Sequence, residues 1–128
     1  MPVATDRTKS KIRLNFFNRG TGKFDVTSFC NRFRLKQDAV VRLTGYSSRA
    51  VAGWASGKPL SRSSAQRVAE IERLCDALGK IVKPENIGRW LQIPSEAFDG
   101  STPLQVIERG EVDRLWRMIY CLESGEPG

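Results

Sequence analysis

The stretch Gln37-Asp38-Ala39-Val40-Val41-Arg42-Leu43-Thr44-Gly45-Tyr46-Ser47-Ser48-Arg49-Ala50-Val51-Ala52-Gly53-Trp54 decides the fold. Gly45 separates two short helical patterns, with Val51 six residues on and Trp54 three beyond that. This is the spacing of a helix-turn-helix, in which the glycine makes the tight turn and two apolar residues pin the second helix to the first. The first helix is expected from about Lys36 to Leu43, burying Val40, Val41 and Leu43. Capped by Ser47, the second runs from Ser48 to about Ser56 and stops at Gly57-Lys58-Pro59. Val41 stands where the motif usually has alanine, which would push the two helices slightly apart. With Val51 and Trp54 facing in, the outer face presents Ser47, Ser48, Arg49, Ala52 and Gly53. Ser and Arg reach base edges or phosphates, while Ala and Gly let a helix seat closely in a major groove. Gln37 and Lys58 are placed to meet phosphates. An ordinary helical hairpin shares this spacing, so the surrounding charge has to decide between the two readings.

That charge is lopsided. Residues 1–60 hold 12 Lys and Arg against three acids, a net of +9, whereas residues 61–128 hold nine against 11, a net of −2. A basic front half favours a polyanion partner, most often nucleic acid, and supports the DNA-binding reading. Residues 1–23 carry Arg7, Lys9, Lys11, Arg13, Arg19 and Lys23 without sustained periodicity and read as a flexible basic arm with at most a short extended piece. Gly20-Thr21-Gly22-Lys23 is not a phosphate-binding loop. That motif needs Gly where Phe17 stands and Ser or Thr where Phe24 stands.

The rest of the chain is helical in pattern. Val26, Phe29, Cys30 and Phe33 fall at i, i+3, i+4 and i+7 behind Asp25, a capping residue. The longest helix is expected over Ser63–Val82, opened by a capping box of Ser63 and Gln66 and striped by Val68, Ile71, Leu74, Cys75, Leu78, Ile81 and Val82. Pro84 and Pro94 are placed as first-turn residues of short helices at Glu85–Leu91 and Ser95–Phe98. Thr102-Pro103 with Gln105 forms another capping box, and that helix stops at Gly110. A last helix, Glu111 to about Leu122, puts Val112, Leu115, Trp116, Ile119 and Leu122 on one face. The fold class is therefore all-α. At 128 residues, about the size of one ordinary domain, the chain divides into the arm 1–23, a helix-turn-helix unit with its long connecting helix over 24–82, and a small helical unit over 83–128.

Several functions are disfavoured. Histidine is absent, which removes the commonest general base and metal ligand. Cys30, Cys75 and Cys121 are odd in number and lie 45 and 46 residues apart, which suits neither a disulfide framework nor a zinc site. No catalytic constellation, metal site or cofactor is expected. No run approaches the roughly 18 apolar residues of a membrane span, and the polar start gives no signal segment. A cytoplasmic protein without membrane contact is the expectation.

The second half carries a more specific pattern: Trp90-Leu91, Pro94, Phe98-Asp99-Gly100-Ser101-Thr102-Pro103-Leu104, Gly110-Glu111, Arg114-Leu115 and Leu122-Glu123-Ser124-Gly125. In their order and spacing these residues resemble the Xre-type antitoxins that carry a ParS-like toxin-binding domain. Together with the helix-turn-helix, the resemblance covers roughly residues 24–128. It implies an all-helical antitoxin of a type II toxin-antitoxin system, usually a homodimer, whose N-terminal unit binds its own operator as a repressor. It further implies that the C-terminal unit blocks the active site of a RES-domain toxin that consumes NAD or ADP-ribosylates a target.

On the residues alone, Trp90, Phe98, Leu104, Ile107, Leu115, Trp116 and Ile119 read as core, and Asp113, Arg114, Arg117, Tyr120, Glu123 and Glu126 as a solvated helix face. The resemblance makes that face, with Ser124 and Gly125, the toxin-binding set. The competing class is a stand-alone transcriptional regulator whose C-terminal unit serves dimerisation. A neighbouring reading frame for a RES-type enzyme would separate the two.

Overall fold

The computed structural model describes residues 16–125; residues 1–15 and 126–128 lie outside it. A short antiparallel hairpin of β1 (Phe17–Asn18) and β2 (Lys23–Phe24) precedes seven α-helices. These are α1 (Val26–Phe33), α2 (Gln37–Thr44), α3 (Ser48–Ala55), α4 (Arg62–Leu78), α5 (Pro84–Trp90), α6 (Pro103–Glu108) and α7 (Val112–Ser124), with a 3-10 turn at Glu96–Phe98.

Local chemistry sets the boundaries. Asp25 caps α1 by accepting from Ser28 N–H, and Ser47 caps α3 by accepting from Ala50 N–H. Gly45 ends α2 at φ 78, a left-handed conformation that glycine adopts freely. Thr102 and Gln105 form the reciprocal box that starts α6. The expected box at Ser63 and Gln66 is not what starts α4: Ser61 is the cap, accepting from Ser64 N–H, and Ser63 accepts from the Tyr46 hydroxyl at 3.2 Å instead. That helix also ends earlier than its apolar stripe, at Leu78, leaving Ile81 and Val82 half-buried in the turn that follows. Pro94 lies before the 3-10 turn, which Ser95 caps.

The part of the basic arm that is described does not trail away. Phe17 pairs with Phe24 and Asn18 with Lys23, and Glu72 of α4 accepts a hydrogen bond from the backbone N–H of Phe16. Burial raises the Glu72 carboxyl above its usual range, and the hydrogen bonds from the Phe16 and Phe17 backbone oppose the shift. Phe24 is buried, with its ring 5.3 Å from Phe29 and 6.3 Å from Trp54, so the hairpin closes one side of the core.

Where α2 packs on α3, Ala39, Val40 and Leu43 of α2 and Val51 and Trp54 of α3 are all buried in one cluster. Val41, expected inside, is only half-buried. Arg67 of α4 donates from Nε to the Thr44 carbonyl at 3.2 Å, satisfying an acceptor that the end of α2 leaves open.

One core cluster runs through both halves, from Phe24 to Ile119. α1 and α4 both pack on α5, α4 also meets α7, and α2 meets α6. Gly88 of α5 lies against the end of α1 so closely that an added Cβ would stand 2.3 Å from the Arg34 carbonyl oxygen and 2.6 Å from that of Phe33. Arg34 itself takes a left-handed φ of 56 to close α1. On another side, Arg42 of α2 forks onto Glu108 of α6, with Nε 2.9 Å from Oε2 and Nη2 2.7 Å from Oε1. Burial pushes the buried Cys75 thiol up to about 12, with Glu72 and Asp76 adding to the rise, which leaves it an unreactive core residue.

Gly88→Ala has no room without moving backbone, so it should cost about 1–3 kcal/mol or more. Urea unfolding at fixed pH checks this, and a loss below about 0.5 kcal/mol would mean that α5 shifts freely. The Arg42–Glu108 pair gives a pH signature. The Arg42 hydrogen bond holds the Glu108 carboxyl below its usual range. Its contribution is therefore complete above the ordinary glutamate value of about 4.3 and fades as pH falls through the lowered folded value. A double-mutant cycle on this half-exposed pair should give up to about 1 kcal/mol at neutral pH, weakened by salt, and close to nothing in acid.

Candidate functional site

Two surfaces collect the residues that the sequence points to. The first is α3. Its start exposes Ser48 and Arg49, and Ala52 lies exposed one turn on. Ser47 is exposed too, although its hydroxyl is engaged as the cap. Gln37 is the exposed first residue of α2. Gly53 differs from expectation: it does not lie bare for close seating, because the Lys58 side chain folds back over it, and a Cβ added at Gly53 would meet Lys58 Cδ at 3.3 Å. Lys58 donates its backbone N–H to the Gly53 carbonyl at 2.9 Å, which holds its stem beside α3. Among the described residues, neither Arg49 nor Lys58 is ion-paired.

The second surface is α7 with the loop before α6. Leu115 and Ile119 are buried and fix the rotation of the helix. Arg114 does not project freely as the sequence suggested. Its guanidinium lies 5.6 Å from the centroid of the Phe98 ring and pairs with Glu111 at 3.1 Å and Asp99 at 3.4 Å, clamping the 3-10 turn to α7. The hydrogen bond from Arg114 holds the Glu111 carboxyl below its usual range; desolvation opposes it, and Arg109 adds a smaller lowering. Arg117 and Asp113 form an exposed i,i+4 pair at 3.3 Å.

Two apolar residues expected inside are outside: Trp116 is 39% exposed and Leu122 57%, beside Tyr120 at 68%. Trp116 borders a cleft of about 320 Å³ with Arg67, Arg73 and Leu74. Leu122 borders another of about 420 Å³ with Phe98, Arg117, Met118 and Cys121. Glu123, Ser124 and Gly125 are exposed, Gly125 ending α7 at φ 75; Glu126 lies outside the described residues. Among the described residues, no group of His, Cys, Asp or Glu gathers where a metal ion could be held. No described helix is long and apolar enough to cross a membrane.

Over 101 residues the chain is 25% identical to the mycobacterial cidal antitoxin MbcA of Mycobacterium tuberculosis and, equally, to that of Mycobacterium bovis. The match covers 78% of this chain and 89% of each relative. A chain of the crystal structure of the M. tuberculosis MbcT-MbcA toxin-antitoxin complex superposes with a TM-score of 0.64 at 23% identity, covering 84% of this chain and 96% of that one. The two share a fold. No family model matches the chain.

The geometry separates a clamp from a free surface. Arg114→Ala should lower stability by about 1 kcal/mol through loss of its contact with the Phe98 ring, whereas Tyr120→Ala should stay within about 0.5 kcal/mol of the parent. Thermal unfolding of both variants at one pH decides it, and equal effects would contradict the assignment.

Proposed function

We propose that this protein is the antitoxin of a type II toxin-antitoxin pair, acting at its C-terminal half on a partner enzyme and at its N-terminal half on DNA. The observation that carries the reading is the similarity to MbcA. A match that spans 78% of this chain must take in residues 29–100, and with them α2, α3, α4 and α5. The partner is a RES-domain toxin that consumes NAD, and the toxin-binding half is of the ParS-like class. The end of α7 and the tail beyond it block the toxin's active site. Support comes from the way α7 is held: Leu115, Ile119 and the Arg114 clamp order it in advance, so Tyr120, Arg117 and the exposed end lose little freedom on binding. Tyr, Trp and Arg are also the side chains that most often dominate interfaces, and Trp116 stands beside them.

The same chain represses its own operon. In this reading α3 enters the major groove, Arg49 reads a base edge, and Gln37, Ser47, Ser48 and Lys58 meet the backbone, with Ala52 against the groove. A homodimer pairs two such helices over a pseudo-palindrome. The protein acts in the cytoplasm, without a cofactor and without catalysis of its own.

Co-expression with the toxin encoded beside it tests the first arm. Deleting Glu123–Gly128 should abolish rescue while leaving the fold and operator binding intact, and rescue equal to that by the full chain would overturn the blocking mechanism. For the second arm, Arg49→Ala should cost roughly 1–3 kcal/mol in operator affinity and relax specificity at one position per half-site. Equal affinity of the parent for the promoter and for random duplex would refute operator recognition.

A further inference from the structure

The hairpin at the start of the described chain has no role in either activity above, yet its place in the fold is specific. It is fastened at three points. Glu72 of α4 holds the Phe16 N–H, Leu60 donates to the Gly22 carbonyl at 2.7 Å, and the Phe24 ring lies against Trp54 of α3. The Leu60 bond ties the hairpin to the loop that leaves α3, and a Cβ at Gly22 would touch Pro59 of that loop at 3.5 Å. Its turn is set internally: Asn18 Oδ1 accepts from the N–H groups of Gly20 at 2.7 Å and Thr21 at 3.2 Å, and Gly22 takes a φ of 74.

What this fastened turn presents is positive. Arg19 and Lys23 are exposed, and among the described residues neither is ion-paired. They line an open groove of about 880 Å³ together with Ala55 and Gly57, at the far end of α3 from Arg49. Asp25 also borders the groove, but its carboxylate is engaged by the N–H and the hydroxyl of Ser28 at 3.0 and 2.8 Å. An eight-residue helix is about 12 Å long, close to the roughly 12 Å width of a major groove. Arg49 thus stands at one end of α3, and Lys58 with the hairpin stands at the other, a separation on the scale of the groove itself.

We propose that the hairpin is a second DNA-contacting element, a wing in which Arg19 and Lys23 hold backbone phosphates of duplex DNA beyond the C-terminal end of α3. The inference rests on α3 being the DNA-reading helix. The wing carries no sequence information, since phosphate contacts position a protein without reading bases. Its effect is on affinity, on salt dependence and on how α3 is angled in the groove.

The experiment measures binding of the full-length chain to its promoter duplex and to a random duplex across a salt series. The double variant Arg19→Ala/Lys23→Ala should flatten log K against log salt by about 1.8 on both duplexes, about 0.9 for each lost phosphate contact, and leave the preference for the promoter unchanged. Arg19→Lys/Lys23→Arg should keep the parental slope, while Arg49→Ala should erode the preference. If the double variant, folded by circular dichroism, keeps the parental slope, the wing is refuted while the reading of α3 stands. Failure of the parent to bind either duplex refutes the reading of α3, and the wing falls with it.

Discussion

The contact of Gly88 with the carbonyls of Phe33 and Arg34 is the constraint from which the architecture follows. Only a residue without a Cβ lets α5 lie across the end of α1, and Arg34 has to turn left-handed to present that end. Once α5 is there, Ile87 and Leu91 enter the same buried cluster as Phe29 and Phe33. Leu91 then receives the next segment, since Leu104 N–H donates to its carbonyl at 3.0 Å. This sets α6 where Glu108 meets Arg42. The α2–α3 pair and the C-terminal helices are thus joined through backbone approach, shared core and an ion pair, rather than strung on a linker.

Such a joint determines what each surface can be. The C-terminal helices use their own polar residues to set α7: Arg114 is consumed in binding Phe98, Glu111 and Asp99, and Leu115 and Ile119 are buried. Trp116, Tyr120 and Leu122 stay exposed along α7, beside the Arg117–Asp113 pair. A single exposed apolar side chain is ordinary on any protein, but a Trp, a Tyr and a Leu along one short helix is the mixture that interface cores favour.

Capping, turns and helix periods were legible because they depend on neighbours in sequence. Asp25, Ser47, Thr102 and Gly45 do in the structure what their side chains, or the lack of one, imply locally. Choices between near neighbours were less legible. Ser61, Ser63 and Ser64 are alike as residues, and the cap falls to Ser61 while Ser63 bonds the distant Tyr46. Trp116 and Leu122 follow the helical period of Leu115 and Ile119, and nothing local says that the stripe is wider than the surface available to cover it. Arg114 reads as a free cation on an amphipathic helix until Phe98 and Asp99, 15 or 16 residues away, are folded against it. Gly88 carries no local signal at all, because its reason is a carbonyl 54 residues earlier. The hairpin has strands of two residues each, too short for alternation to register, and it is held by Glu72 rather than by its own pairing.

The shared core also bears on how the two surfaces communicate. Where two sites sit on separately folded units, a ligand at one leaves the stability of the other untouched. Here the buried cluster runs from Phe24 beside α3 to Ile119 in α7, and a small single core of this kind unfolds as one unit. A partner that binds only the folded state then stabilises the whole molecule by mass action, by about 2.7 kcal/mol at a hundred times its dissociation constant. Binding at α7 therefore protects α3 from unfolding, and binding at α3 protects α7. This coupling needs no change of shape, only that Gly88 keep the two halves in one cooperative core.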